Sequence, residues 1–191
     1  MQSFWRAGRM SDQIQTRMTA SEFLELPETN TPVELIDGEL VVSPAPLLIH
    51  QEILFRLALL LNTLAPQGKL YLAPVDVHLN DENVVQPDLV WLATDSQCGA
   101  VDGKYLHGAP ELVVEVISPG SERQDRGKKF ELYEKFGVHE YWLIDPVALY
   151  AEVQTRSDHR FVRQGVFGPD ETFVSAVIGH QRIELNAILP H

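Results

Sequence analysis

The stretch Leu112-Val113-Val114-Glu115-Val116-Ile117 reads as a central β-strand, apolar throughout except for one acid. An ionised carboxylate in such a run is costly unless it is paired or bound to a cation. Upstream, Gln86-Pro87-Asp88 leads into Leu89-Val90-Trp91-Leu92, a second apolar run with an acid at its start. Downstream comes Asp125-Arg126-Gly127-Lys128-Lys129-Phe130-Glu131-Leu132-Tyr133, a lysine-bearing helical pattern. Two acids that meet across adjacent strands, with a lysine near them, have the chemistry to hold a divalent cation and orient a water.

Working outward, Thr19-Ala20-Ser21-Glu22 has capping-box spacing and predicts a short helix ending before Pro27. Val33–Ile36 and Glu39–Val42 are strands around Asp37-Gly38, a strong hairpin signal. Pro44 and Pro46 break the chain, and Leu47–Leu64 then carries Ile53, Leu57, Leu60, Leu61 and Leu64 at helical spacing. Tyr71–Leu79 and Val84–Leu92 are read as two strands joined by a turn at 80–83, and Thr94–Gly108 as a loop or short helix. A helix from Glu122 to Phe136 follows the central strand, with Ser121 before it and Gly137 as its stop. Glu140–Ile144 is a further strand. Leu149–Gln154, Phe161–Gln164, Thr172–Val177 and Arg182–Leu185 suggest antiparallel strands beyond Pro146.

The length of 191 residues and the 45% apolar content suit one domain with a real core. Residues 1–17 show no periodicity and are read as a flexible arm ahead of a single domain over 18–191. No apolar run is long enough to span a bilayer, and Met1–Arg17 lacks the apolar centre of a secretory signal. A lone cysteine, Cys98, rules out an intramolecular disulfide and a cysteine-cluster zinc site, which fits a cytoplasmic location. There is no glycine-rich phosphate loop, nucleophile elbow or His-x-x-x-His pair.

The motifs, in order, resemble those of the Uma-two endonuclease family, within the PD-(D/E)xK restriction-endonuclease-like superfamily. The residues that carry the resemblance begin with Val33-Glu34-Leu35-Ile36-Asp37-Gly38-Glu39-Leu40, His50-Gln51 and Val85-Gln86-Pro87-Asp88. They continue with Gly108-Ala109-Pro110-Glu111 through Ser118-Pro119, and then with Asp125, Lys129 and Tyr133. Gly137-Val138-His139-Glu140-Tyr141-Trp142-Leu143-Ile144-Asp145-Pro146 completes the set. The resemblance covers roughly 19–155. It implies a mixed α/β fold: a central mixed sheet flanked by helices, with an N-terminal hairpin and a C-terminal β extension. The order from Leu47 of helix, three strands, helix and strand agrees with that core. It also implies a Mg2+- or Mn2+-dependent endonuclease acting on DNA, and a homodimer. One position departs from the superfamily pattern: the lysine expected two residues after the strand acid is Ile117.

Asp88 and Glu115 are the expected metal ligands, since hard cations prefer carboxylate oxygens. The plainer readings are a Pro-Asp turn for Asp88 and a structural ion pair for Glu115. Lys129 is the substitute for the missing strand lysine, because Asp125, Lys129, Leu132, Tyr133 and Phe136 share one helical face. Lys128, about 100° away, points to solvent with Glu131 and Lys135. The resemblance adds Glu34 as a third carboxylate, against the plainer reading of an exposed strand glutamate. His50 and Tyr133 are possible accessory residues, and Asp145 is expected to serve the Asp-Pro turn.

The net charge of −12 is awkward for a DNA-binding protein, whose affinity comes mainly from lysine and arginine on phosphates. Five of the fifteen basic residues lie between Arg123 and Lys135. Arg123, Arg126 and Lys128 are therefore candidate phosphate contacts, the alternative being a solvated helix face. The charge and Ile117 also fit a different class: a non-catalytic binding or assembly protein on a nuclease-like scaffold.

Overall fold

A computed structural model of the chain describes residues 17–27, 31–43, 45–118 and 120–189. The expected arm lies, except for Arg17, outside the described residues, as do Pro44 of the expected break and Pro119.

The first elements follow local chemistry. Helix α1 (Ala20–Leu24) opens with a full capping box: Thr19 Oγ1 accepts from the Glu22 amide, and Glu22 accepts from the Thr19 amide at 2.8 Å. Strands β1 (Val33–Ile36) and β2 (Glu39–Val42) pair across Asp37 and Gly38, whose φ angles of 51° and 76° suit a tight hairpin turn. Helix α2 (Leu48–Leu64) buries Ile53, Leu57 and Leu61 on one stripe.

The two long strands expected over 71–79 and 84–92 are instead four: β3 (Lys69–Leu72), β4 (Val77–Asn80), β5 (Asn83–Val85) and β6 (Leu89–Leu92). Pro74 and Pro87 interrupt them, because proline has no amide to give to a ladder. The 94–108 segment is not simply a loop. It carries β7 (Gly99–Val101) and β8 (Tyr105–His107), which turn through Asp102 and Gly103, both at positive φ.

Strand β9 (Leu112–Val116) is buried at every position. The helix expected over 122–136 is not uniform. It comprises α3 (Glu122–Gln124), a π-helical turn over Asp125–Lys129, and α4 (Phe130–Phe136), stopped by Gly137 at φ 98°. Strands β10 (Glu140–Asp145), β11 (Tyr150–Ser157), β12 (Arg160–Phe167), β13 (Thr172–Ser175) and β14 (Gln181–Glu184) follow.

The architecture is mixed α/β, with the strands divided between two six-stranded sheets and a hairpin. The first sheet has the order β2-β1-β5-β4-β8-β7, and the second β12-β11-β10-β9-β6-β3. The β13–β14 hairpin stands apart. β9 and β10 are parallel, joined through the α3–α4 crossover, while β6 and β9 are antiparallel. Period-two alternation divides β9 between two cores. Leu112, Val114 and Val116 pack with α2 and the C-terminal hairpin, through Ile53, Leu57, Phe173 and Ile183. Val113 lies in the other cluster, with Ile36, Val77 and Val85 of the first sheet and Leu132 and Tyr133 of α4. Glu115 shares the parity of Val113 and so faces the space between the sheets.

Glu140 fixes the C-terminal hairpin. Its carboxylate, 1% exposed, accepts from Trp142 Nε1 (3.0 Å), Ser175 Oγ (2.7 Å) and the Ala176 amide (2.7 Å). No helix among the described residues is long and apolar enough to cross a membrane.

Candidate functional site

The residues 86–88 link the two sheets. β5 ends at Val85 in the first sheet, Pro87 breaks the ladder, and β6 begins at Leu89 in the second. The pairing of Leu89 with Val114 places Asp88 beside Glu115, one step further along the antiparallel ladder. Two cross-strand bonds hold Asp88 to β9: the Val116 amide donates to Asp88 Oδ2 at 2.7 Å, and the Asp88 amide approaches Glu115 Oε2 at 3.4 Å. At the other end of the link, the Gln86 amide donates to Glu34 Oε1 at 2.7 Å. One three-residue segment thus ties Glu34 of β1 to the Asp88–Glu115 pair.

Lys129 closes the arrangement. Its Nζ lies 2.9 Å from Glu34 Oε1, 3.0 Å from Glu115 Oε1 and 3.7 Å from Asp125 Oδ1. Asp125, Lys129, Leu132 and Tyr133 are buried, while Lys128, Glu131 and Lys135 are exposed. Tyr133 donates its hydroxyl to Glu115 Oε1 at 2.8 Å. His50, at the start of α2, places Nε2 2.9 Å from Asp88 Oδ2. The Asp88 side chain retains 18% exposure, against 3% for Glu115 and 2% for Glu34, so the cluster opens to solvent at Asp88.

Four carboxylates, Glu34, Asp88, Glu115 and Asp125, stand against one lysine. Burial alone would lower the Lys129 ammonium, but Glu115, Glu34 and Asp125 outweigh it and hold Lys129 well above its ordinary value. The excess negative charge falls on the acids. Burial pushes Glu115 well up, with Lys129 opposing and the neighbouring carboxylates adding to the rise. Burial likewise raises Asp125, from an ordinary 3.8 to about 6. Tyr133 is raised by burial and then by Glu115, so its hydroxyl stays a donor.

This donor set fits a hard divalent cation. It consists of carboxylate oxygens, it carries uncompensated negative charge, and Glu34 Oε2 is buried with no hydrogen-bond partner. Among the described residues no group of three or more histidine, cysteine, aspartate or glutamate side chains is arranged around a single ion position. Asp88 and Glu115 are the two carboxylate residues that the ladder sets side by side, with the Asp88 amide 3.4 Å from Glu115 Oε2.

The other expected residues fall in different surroundings. Arg123 and Lys128 are exposed, Lys128 having only a loose 3.9 Å approach to Glu39. Arg126 is engaged within the chain by Glu152 at 2.7 Å, by Glu122 at 3.3 Å and by the Tyr150 hydroxyl. Ile117, where the superfamily lysine would stand, is 6% exposed and packs in the inter-sheet core. Asp145 accepts from the Val147 and Ala148 amides and shapes its turn. Cys98 is buried, which pushes its thiol up to about 12 and leaves it inert. Asp125 was placed by sequence on the inward helical face with Lys129; its burial beside two further acids is a tertiary fact.

With the geometry in place, comparison with known proteins gives three findings. A crystal structure from Anabaena variabilis ATCC 29413, titled "a putative nuclease belonging to DUF820", superimposes with a TM-score of 0.74 at 22% identity. The match covers 90% of this chain and 97% of that one, and it establishes the fold. No curated protein matches the chain. The family model described as "Putative restriction endonuclease", Uma2, matches residues 20–186, a span that holds every residue of the cluster. The chain belongs to the Uma2 family, described as "Putative restriction endonuclease".

Proposed function

We propose that this chain is a divalent-metal-dependent endonuclease that hydrolyses DNA phosphodiester bonds. The observation that carries the reading is the contact of three groups in one buried cluster: Asp88 and Glu115 side by side across β6 and β9, with Lys129 Nζ 3.0 Å from Glu115. Membership of a restriction endonuclease family supports the reaction class.

Asp88 and Glu115 would hold Mg2+ or Mn2+, with Glu34 as a further buried carboxylate. When bound, the cation would supply Lewis-acid polarisation of the phosphoryl oxygen and a water of lowered pKa. The protein's own groups fix the rest. His50 and the Val116 amide both contact Asp88 Oδ2 and set the orientation of that carboxylate. Tyr133 and Lys129 do the same for Glu115 Oε1. Lys129 stays protonated and offers a positive charge where negative charge grows on the phosphate in the transition state. It does from the helix what the strand position, filled by Ile117, cannot. Asp88, at the open side of the cluster, faces the approaching strand. DNA would meet the exposed Arg123 and Lys128 on the adjoining segment, which offsets the charge of −12 locally.

The test is conversion of supercoiled plasmid to nicked and linear forms in Mg2+ or Mn2+, with chelator as control. Asp88→Asn and Glu115→Gln should each lower the rate by roughly 10²–10³-fold while the fold is retained. Cleavage that survives both substitutions would remove these residues from the site. No cleavage, together with no heat of binding at millimolar metal, would leave the non-catalytic binding or assembly reading.

A further inference from the structure

Lys129 has three N–H donors and three carboxylates around it, but the three are not equivalent. Glu34 and Glu115 are within hydrogen-bonding distance, whereas Asp125 Oδ1 stands off at 3.7 Å. That oxygen is buried and has no hydrogen-bond partner. A buried acceptor left idle is costly, and structures seldom keep one without a use. Here the idle acceptor faces the one ammonium in the cluster.

Glu115 is asked to serve two cations in the proposed reaction: Lys129 on Oε1, and a divalent ion by way of the carboxylate's other, weakly engaged oxygen. Two cations on one carboxylate repel each other strongly where water is excluded. Lys129 must then lean on partners outside the Asp88–Glu115 pair. Only Glu34 and Asp125 qualify among the groups that contact it. Glu34 already holds Nζ at 2.9 Å through Oε1, which also accepts from the Gln86 amide, so Asp125, whose idle Oδ1 stands off at 3.7 Å, is the carboxylate that can still close on it. A movement of less than 1 Å would bring Nζ from 3.7 Å to the roughly 2.8 Å of a charge-assisted bond. The main chain at Asp125 is also held, because its carbonyl accepts from the Tyr141 hydroxyl at 3.0 Å. The residue sits at the start of the π-helical turn that ends at Lys129, so both partners ride on one short element.

We infer that Asp125 is a positioning residue: it retains the Lys129 ammonium in the site when Glu115 is engaged by a divalent cation. The inference rests on the metal-dependent reading above. The test uses the full chain with Mg2+ as probe. Calorimetry first establishes that Mg2+ binds to wild type and to Asp125→Asn. Acylation of Lys129 by an amine reagent, followed by peptide mass spectrometry, then reports its accessibility. Without metal, Lys129 should be protected in both proteins. With Mg2+, wild type should remain protected, while Asp125→Asn should react at least about tenfold faster. A wild-type structure with Mn2+ provides a second measurement should the variant fold poorly, and it should show Nζ within hydrogen-bonding distance of Asp125 Oδ1. Equal protection of the two proteins with Mg2+ bound, or an Nζ–Oδ1 separation still at 3.7 Å, overturns the role of Asp125 alone. Absence of Mg2+ binding in wild type overturns the metal-dependent reading, and this inference with it.

Discussion

Replacing Asp125 by asparagine should stabilise the metal-free protein at neutral pH, and the size of the effect can be worked out. Burial among other carboxylates raises the Asp125 carboxyl from 3.8 to about 6. An acid raised in the folded state binds its proton there more readily than in the unfolded chain. Between those two values the folded state therefore holds more protons, and stability falls as pH rises. The penalty is absent below pH 3.8 and complete above about pH 6. At 1.36 kcal/mol per pH unit it amounts to about 3 kcal/mol. Asparagine has the same shape and does not ionise. Urea denaturation in chelator, from pH 4 to pH 8, should show wild type losing up to about 3 kcal/mol across that range from this group. The variant should lack that loss and be the more stable protein at pH 8. A variant that is less stable at pH 8, or that keeps the full wild-type slope, would refute the reasoning. It would mean that Asp125 is stabilised by Lys129 more than it is penalised by burial.

Three other outcomes are expected. Lys129→Met should abolish plasmid nicking and cost roughly 3–5 kcal/mol in chelator, because it leaves buried carboxylates without their cation; Lys128→Ala should do neither, and the pair of urea curves checks this. In filter-binding with a catalytically inactive Glu115→Gln background, Lys128→Ala should flatten the slope of log affinity against log salt by about one unit, whereas Arg126→Ala should flatten it less, since Glu122 and Glu152 already engage that guanidinium. Glu140→Ala should destabilise by about 3 kcal/mol or more and expose the β13–β14 hairpin to protease first, because it strands the Trp142, Ser175 and Ala176 donors.

Much of this protein was legible in the chain itself, wherever the deciding interaction is short in sequence. The Thr19–Glu22 capping box, the Asp37-Gly38 hairpin, the stripe of α2 and the glycine stop at 137 all depend on neighbours a few residues apart. The apolar run around Glu115 announced a central strand, since only burial on both faces tolerates such a sequence. The helical period placed Lys129 inward and Lys128 outward. What the chain could not give was the partner of each charge. Glu34 and Lys129 are 95 positions apart and meet only because β1 lies in one sheet, β9 in the other, and the crossover helix covers the gap between them. The breaks at Pro74 and Pro87 decide that gap, and a periodicity reading runs straight through them. The idle oxygen of Asp125 is likewise invisible at i,i+4 spacing, which looks the same whether the pair is solvated or enclosed. Local pattern fixes which face a side chain takes. The long-range pairing of two sheets alone fixes how many carboxylates share one ammonium, and the low dielectric between them is what gives that count its chemical meaning.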